Sequence, residues 1–161
     1  MGVFDFLKKK EGIVLGAPVG GKAVDITKVP DPTFSDGLMG KGVAIEPSEG
    51  VLRAPIDAKI DLMFDTGHAV NLITDSGLEI LIHVGLETIS LKGEGFTVLK
   101  QTGDSVKKGD ELIKFDLDFL KSKGFETITP MVICNSDDFK DVKVFTSESV
   151  KAGDKVLEVI K

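Results

Sequence analysis

The sequence predicts an all-β fold, a sandwich or a barrel, with only short helical turns. Short runs of β-branched or alternating apolar residues recur along the chain, and turn residues separate them, among them 18 glycines and 6 prolines. Many short strands at close spacing are typical of sandwiches and barrels. The length of 161 residues predicts a single domain with a sizeable core.

Ten runs are predicted to be strands, because each combines apolar alternation or β-branching with flanking turn residues. One helix is predicted from Asp116, as its N-cap, to a terminating Gly124. The strings "GDSVKKGDELIKFD" and "SESVKAGDKVLEVIK" form a weak repeat in which a glycine turn precedes a strand. In chain order, the predicted strands are residues 12–17, 22–27, 43–47, 59–64, 68–74, 78–84, 111–115, 131–134, 142–145 and 155–160.

The charge and composition of the chain disfavour or exclude several classes of function. A formal charge of −6 at pH 7 disfavours nucleic acid as a partner, which needs a basic footprint. The single arginine, Arg53, limits bidentate phosphate binding, and the single cysteine, Cys134, excludes an internal disulfide and a cysteine-cluster metal site. No apolar stretch approaches the ~20 residues of a membrane span, and the N-terminus lacks the apolar core of a signal peptide. A cytoplasmic protein is therefore expected.

Residues 1–11 form a predicted tail ahead of a domain at residues 12–161. Val3, Phe4 and Leu7 fall on one helical face with Phe6 beside it, and three lysines follow them. Two interpretations are open: a small membrane-surface helix that makes weak contact through residues 3–10, or a frayed terminus. The start at a methionine and the end after the last predicted strand favour a free-standing protein, although a domain of a larger protein would look similar.

Both histidines, His68 and His83, fall in one predicted hairpin, whose turn signal is "TDSG" at residues 74–77. A two- or four-residue loop pairs residues whose numbers sum to 151, so the histidines face each other on one side of the sheet. A three-residue loop with Gly77 in a bulge shifts the sum to 152 and puts them on opposite faces. The turn leaves the register open. The facing register is preferred because it explains why both histidines are here.

The facing register also divides the apolar residues of the hairpin between two faces. Val70 then pairs with Leu81 beside the histidines, on a mildly apolar face that is expected near the surface. The other face is expected to be the better core, and it carries Ile73, Ile80 and Ile82.

A paired, shallow histidine site has four interpretations. The rings are two satisfied surface histidines, or they bind zinc, which needs a third or fourth ligand. Otherwise they act in general acid–base catalysis, or in nucleophilic catalysis on phosphorus. In the last case one neutral imidazole carries the phosphoryl group and the other donates a hydrogen bond to its oxygens. An ordinary histidine pKa near 6.5 leaves enough neutral imidazole at pH 7 for attack.

One segment closely resembles the active-site segment of the glucose-family enzyme IIA of the bacterial phosphoenolpyruvate-dependent sugar phosphotransferase system. It reads "SGLEILIHVGLETISLKGEGF", residues 76–96. Its pattern is Gly, two residues, three apolar residues, His, apolar, Gly, apolar, acidic, Thr, apolar, then Leu-x-Gly-x-Gly-Phe, and every element is present. Other matching stretches are "VPDPTF", "GKGVAIEP", "APIDAKI", "FDTGHA" and "VKKGDELIKFDL". The resemblance implies that residues 12–161 are an enzyme IIA type 1 domain, an antiparallel β-sandwich with Greek-key or jelly-roll connections.

The resemblance also implies roles for single residues. His83 matches the histidine that the phosphocarrier protein HPr phosphorylates on Nε2, and His68 matches the companion that stabilises the phosphoryl group and is needed to pass it on. Thr66 matches the hydroxyl that orients the companion ring. Gly85 matches the residue whose carbonyl fixes the tautomer of the phosphorylated ring. The acceptor is then a cysteine on the IIB domain of a membrane sugar permease, which is expected to be of the glucose type.

A docking surface is implied in the same way. Asp31 and Glu87 match an acidic pair beside the site, and Glu87 keeps the charge where the family usually has aspartate. These carboxylates make sense if the partner brings the arginines. The residues that match or flank the apolar docking surface of the family are Phe34, Leu38, Met39, Phe64, Leu81, Ile82 and Ile89.

Several other functions fit the sequence less well than this resemblance. No cofactor is expected and no metal is required, although His68 and His83 could bind zinc adventitiously or with a ligand from a partner. A lysostaphin-like zinc hydrolase needs an H-x-H pair, which residues 82–84 lack. Phosphorylation-dependent binding of regulatory target proteins is an additional expectation for the same surface. The string "GAPVGGKA" lacks the Ser or Thr of a P-loop, and Cys134 is predicted to be a buried strand thiol.

Overall fold

Fourteen strands in three antiparallel sheets form residues 12–161, the part of the chain that a computed structural model describes. One sheet has eight strands in the order β13-β2-β3-β11-β7-β6-β5-β9, and two smaller sheets have the orders β1-β14-β12 and β4-β10-β8. The strands are β1 (Ile13–Gly16), β2 (Gly21–Asp25), β3 (Lys41–Pro47), β4 (Val51–Arg53), β5 (Ala58–Met63), β6 (Ala69–Ile73), β7 (Glu79–His83), β8 (Phe96–Val98), β9 (Ser105–Val106), β10 (Glu111–Phe115), β11 (Thr129–Ile133), β12 (Asp141–Val144), β13 (Ser147–Val150) and β14 (Lys155–Ile160).

The predicted sandwich is confirmed. All ten predicted strands are present, with ends that differ by at most two residues from the predicted ones. The strands β4, β8, β9 and β13 were not predicted, because runs of two to four residues are too short to show alternation. Neighbours that are distant in sequence, such as β3 and β11, require long connections, as Greek-key and jelly-roll sandwiches have.

Helical structure among the described residues is short. Helix α1 (Pro32–Ser35) begins at Asp31, whose carboxylate accepts a hydrogen bond from the Thr33 N–H at 3.0 Å. Helix α2 (Leu117–Ser122) begins at Asp116, which confirms the one predicted helix. Three single turns of 3₁₀ helix lie at Ile26–Lys28, Thr88–Leu91 and Ser136–Asp138. No helix of the described residues is long and apolar enough to cross a membrane.

The eight-stranded sheet has two differently covered faces. One face packs against the two small sheets in the main core, where Ile45, Ile82, Leu112 and Leu157 are fully buried. The opposite face carries a smaller apolar group, the site-face cluster. This cluster consists of Val29, Phe34, Ala44, Ala69, Leu81, Leu86, Ile128 and Val132.

The predicted hairpin register is wrong. Strands β6 and β7 pair Ala69 with His83 and Ile73 with Glu79, so paired numbers sum to 152. Gly77 has a φ of +89°, which allows a three-residue loop, and the Thr74 N–H bonds to the Leu78 carbonyl across it at 3.1 Å.

The new register reassigns part of the hairpin. Val70 pairs with Ile82 in the main core instead of with Leu81, and Ile73 lies on the site face, where 37% of it is exposed. The predicted core positions of Ile80 and Ile82 are confirmed. The predicted tail and its membrane contact through residues 3–10 lie outside the described residues.

Candidate active site

The two histidine rings meet in spite of this register. Their centroids lie 5.2 Å apart and their planes are inclined by 75°. His68 precedes the first residue of β6, in a bend that follows Gly67 at a φ of +70°. Its side chain is therefore free of the strict alternation of a strand. The bend turns the His68 ring to the face of the sheet that carries His83, while the His68 carbonyl still accepts from the Val84 N–H at 2.7 Å.

A backbone carbonyl fixes the protonation of the His83 ring. The Nδ1 atom lies 2.6 Å from the carbonyl oxygen of Gly85. A carbonyl only accepts hydrogen bonds, so Nδ1 carries the proton and Nε2 holds the lone pair of the neutral ring. Gly85 has a φ of +71°, and a Cβ atom there would lie 2.7 Å from the Glu126 carbonyl oxygen. The position therefore requires glycine.

A hydroxyl orients the second ring. Thr66 Oγ1 forms a hydrogen bond with Nδ1 of His68. When the hydroxyl donates, the proton of the neutral His68 ring lies on Nε2. His68 is only 4% exposed, and the Phe64 ring packs edge-on against its ring at a centroid distance of 5.1 Å. The two imidazoles are thus held separately, one by a carbonyl and one by a hydroxyl.

Burial keeps both rings neutral. The pKa of His68 is lowered to about 4, first by desolvation and then by the neighbouring His83. Desolvation also lowers the pKa of His83, while its bond to the Gly85 carbonyl and the charge of Asp31 act in the opposite direction. At pH 7 the site therefore offers a lone pair on Nε2 of His83, which a nucleophile needs.

Aromatic rings and apolar side chains surround the pair. Phe34, from α1, packs edge-on against His83 at a centroid distance of 5.8 Å. It is buried with Ala69 and Leu81 in the site-face cluster. Since this surround is apolar, it limits the access of water to the two rings.

The predicted acidic pair is brought together at one side of the site. Asp31 and Glu87 line the same cavity of about 390 Å³, together with Lys123 and Glu126. Glu87 is exposed and has a left-handed backbone with a φ of +59°. The carboxylate of Asp31 caps α1. Its negative charge favours the protonated form of His83 and so opposes the lowering of the pKa of that ring.

The predicted docking residues differ widely in exposure. Leu38 is 77% exposed and Ile89 is 57% exposed, so both are available to a partner. Met39 and Phe64 are half-buried, and Phe34 and Leu81 are buried beneath them in the site-face cluster. Ile82 is a correction: it is fully buried in the main core, on the opposite face of the sheet, and it cannot contact a partner.

Two further residues of the site were not predicted. Thr88 is fully buried and its hydroxyl donates to the Val84 carbonyl at 2.6 Å. The carbonyl of Glu126 accepts from the Leu86 N–H at 3.0 Å. The threonine of the quoted motif pointed to Thr88, whereas a backbone carbonyl from a distant loop leaves no signal in the sequence.

The two histidines do not form a complete metal site by themselves. Within residues 12–161 no group of three or more His, Cys, Asp or Glu side chains is arranged to hold a metal ion, so zinc at His68 and His83 would need a ligand from elsewhere.

The prediction for Cys134 is wrong. Cys134 follows β11 and is an exposed residue, and partial desolvation of its thiol together with the charge of Glu79 raises its pKa.

The fold and the site define a class of protein, a β-sandwich that presents two oriented, neutral histidines on one sheet face. The family model described as phosphoenolpyruvate-dependent sugar phosphotransferase system, EIIA 1, matches residues 13–139, and the chain belongs to this family. The solved structure of glucose permease IIA from Mycoplasma capricolum is similar, with a TM-score of 0.84 and 32% sequence identity over 91% of this chain and 95% of that one. The protein is therefore a phosphoryl-carrying component of the sugar phosphotransferase system.

Proposed function

We propose that His83 accepts a phosphoryl group from phospho-HPr on Nε2 and passes it to the IIB domain of a glucose-type permease. The observation that carries the proposal is the hydrogen bond from Nδ1 of His83 to the Gly85 carbonyl, because it leaves Nε2 as the reactive atom. Family membership supports HPr and IIB as the partners. The name of the similar glucose permease IIA supports the glucose class.

The step at His83 is a displacement at phosphorus. The Nε2 lone pair forms a bond to phosphorus, and the bond from phosphorus to the donor atom of HPr breaks, with its electron pair going to that donor atom. The Nδ1 proton stays in place. The positive charge that the ring gains is stabilised by the Gly85 carbonyl, 2.6 Å from Nδ1. Transfer to IIB is the same displacement with Nε2 as the leaving atom.

His68 stabilises the phosphoryl group. With the Thr66 hydroxyl donating to its Nδ1, His68 presents an N–H at Nε2, and the ring lies 5.2 Å from that of His83. This N–H donates to a phosphoryl oxygen while the group rests on His83 and while it leaves. The low pKa of His68, about 4 before the phosphoryl group arrives, keeps the pair from repelling each other as two cations.

The rim of the site suits a transient partner. Leu38 and Ile89 expose apolar side chains, and Asp31 and Glu87 place carboxylates at one cavity. Cationic side chains of a partner would pair with these carboxylates and steer its approach. In the absence of a partner, the same carboxylates disfavour anions at the site, which restricts phosphorylation to a docked donor.

The assignment is tested by comparing the wild type with His83→Gln and His68→Gln. Each protein is incubated with phosphoenolpyruvate, enzyme I and HPr, and then with a IIB domain. Wild type gains the mass of one acid-labile phosphoryl group and transfers it to IIB. His83→Gln gains none, and His68→Gln gains the group but transfers it slowly. An adduct that survives His83→Gln contradicts the proposal. A panel of IIB domains tests the glucose class.

Two expectations for this surface remain predictions. Regulatory target proteins would bind to one phosphorylation state only, and pull-downs with the wild type and with His83→Asp test this. Zinc would bind at His68 and His83 adventitiously or with a further ligand from a partner. Titration of the isolated protein with zinc gives the baseline for that comparison.

A further inference from the structure

We propose that Thr88 is a positioning residue that holds His83 in its reactive tautomer by closing the backbone loop between Val84 and Thr88. The inference rests on the proposed role of His83 as the phosphoryl carrier. Thr88 does not touch the reacting atoms, and it acts through the Gly85 carbonyl.

Three consecutive peptide groups after His83 are each held by a hydrogen bond. The Val84 N–H donates to the His68 carbonyl at 2.7 Å. The Val84 carbonyl accepts from the Thr88 hydroxyl at 2.6 Å. The Leu86 N–H donates to the Glu126 carbonyl at 3.0 Å. The last of these peptide groups includes the Gly85 carbonyl, which accepts from His83, so the loop fixes the direction of that carbonyl.

Gly85 makes this support necessary. A glycine occupies many backbone conformations at similar energy, so it does not set the direction of its own carbonyl. Its φ of +71° is maintained by the peptide groups on either side. The hydroxyl of Thr88 holds the preceding peptide group, and the Glu126 carbonyl holds the following one.

Thr88 also fills the space beside Gly85. Its Cγ2 atom lies 2.9 Å from the point where a Cβ atom at Gly85 would be, and Thr88 is fully buried. Val84 is fully buried too. Without the hydroxyl, the Val84 carbonyl would lose its donor in a place that water does not reach, and the peptide group would turn toward another donor. The Gly85 carbonyl would turn with it and release Nδ1 of His83.

The test compares four forms of the full chain: wild type, Thr88→Val, Thr88→Ser and Thr74→Val. Thr74 is a matched control, because its hydroxyl accepts from the Leu78 N–H at 3.0 Å at the other end of the same hairpin. Nitrogen-15 NMR of the unphosphorylated proteins measures which ring nitrogen of His83 carries the proton. The rate of phosphorylation by phosphoenolpyruvate, enzyme I and HPr is measured in parallel.

The expected result is a tautomer shift in Thr88→Val alone. Wild type, Thr88→Ser and Thr74→Val should carry the proton on Nδ1 of His83. Thr88→Val should carry a large fraction on Nε2 and be phosphorylated about 10- to 100-fold more slowly, the range for a lost orienting contact.

A folded Thr88→Val protein with the wild-type tautomer overturns the inference, and so does a shift of the same size in Thr74→Val. Thr88→Ala, which removes the hydroxyl and adds no new methyl group, decides the matter if Thr88→Val does not fold. The tautomer is measured without a phosphoryl donor. If wild type is never phosphorylated, the proposed function fails while the NMR comparison still decides the role of Thr88.

Discussion

The rings of His68 and His83 lie 5.2 Å apart although the two residues are not partners in the β-ladder, where His83 pairs with Ala69. The contact depends on a bend at Gly67, which frees His68 from the alternation of β6. Gly85, which also has a left-handed backbone conformation, orients the His83 ring through its carbonyl. The geometry of the pair is therefore set by the loops at the ends of the two strands, and substitutions in these loops should change the chemistry of the site.

Gly85→Ala should impair both stability and phosphorylation. Alanine at a φ of +71° is strained, and its Cβ would lie 2.7 Å from the Glu126 carbonyl oxygen. The free energy of unfolding should fall by about 2–4 kcal/mol, measured by denaturant titration. Gly103→Ala is the control, because Gly103 has a φ of +94° with open space around it. It should cost about 1 kcal/mol and leave the phosphorylation rate unchanged. Equal effects of the two substitutions would contradict the account.

The histidine pair should make the fold sensitive to mild acid. The pKa of His68 is about 4 in the folded state and 6.5 in the unfolded state, so between these values the unfolded chain binds more protons. Stability should therefore fall as the pH drops from about 6.5 to about 4. His68→Gln should flatten this part of the pH profile of unfolding. An unchanged profile would show that His68 titrates normally.

Replacing Asn71 with an apolar residue should stabilise the folded protein. It lies on β6 opposite Leu81, and its Oδ1 is buried with no hydrogen-bond partner among the described residues. Asn71→Val should raise the free energy of unfolding by about 1 kcal/mol, because it removes an unpaired acceptor and suits a strand.

Asn135→Val is the matched control for this prediction. Its Oδ1 accepts from the Glu79 N–H and its Nδ2 donates to the Gly77 carbonyl. The substitution should destabilise the protein by about 1–2 kcal/mol. Thermal unfolding of both variants decides the matter, and a loss of stability in Asn71→Val would mean that its carbonyl is paired.

Leu38 and Ile89 should carry part of the affinity for HPr. Both residues are more than half exposed, so their replacement changes the surface and leaves the core intact. Each change to serine should weaken binding about fivefold, or roughly 1 kcal/mol, as titration calorimetry would measure. Val14→Ser is the control, since Val14 is 39% exposed on β1 in another sheet. If Val14→Ser weakened HPr binding as much as the other two changes, the loss of affinity could not be assigned to a docking surface at Leu38 and Ile89.

The sequence predicted the strands better than their register. Alternating runs located ten strands because burial on one or both faces dictates residue type. The hairpin register was missed because Gly77 suits either loop, and a shift of one residue exchanges the faces. The shift moved Val70 into the main core and Ile73 out to the surface of the site face. The burial of Ile82 also excludes it from the docking surface, where only the motif had placed it.

The histidine contact itself was predicted correctly from a wrong register. The two rings were expected to face each other because that placement explains why both histidines are in the hairpin. In the structure they meet because of the bend at Gly67, which the alternation of side chains along a strand does not predict. Support from distant backbone, such as the Glu126 carbonyl that fixes the loop after Gly85, depends on tertiary packing, and local sequence patterns do not encode it.

The most direct test of the central claim is the position of the phosphoryl group in the protein phosphorylated by HPr. Nitrogen-15 and phosphorus-31 NMR of histidine-labelled protein identify the ring nitrogen that is bonded to phosphorus. The account predicts one phosphohistidine, at Nε2 of His83, with Nδ1 still protonated toward the Gly85 carbonyl. A phosphoryl group on Nδ1 of His83, or on His68, would contradict it.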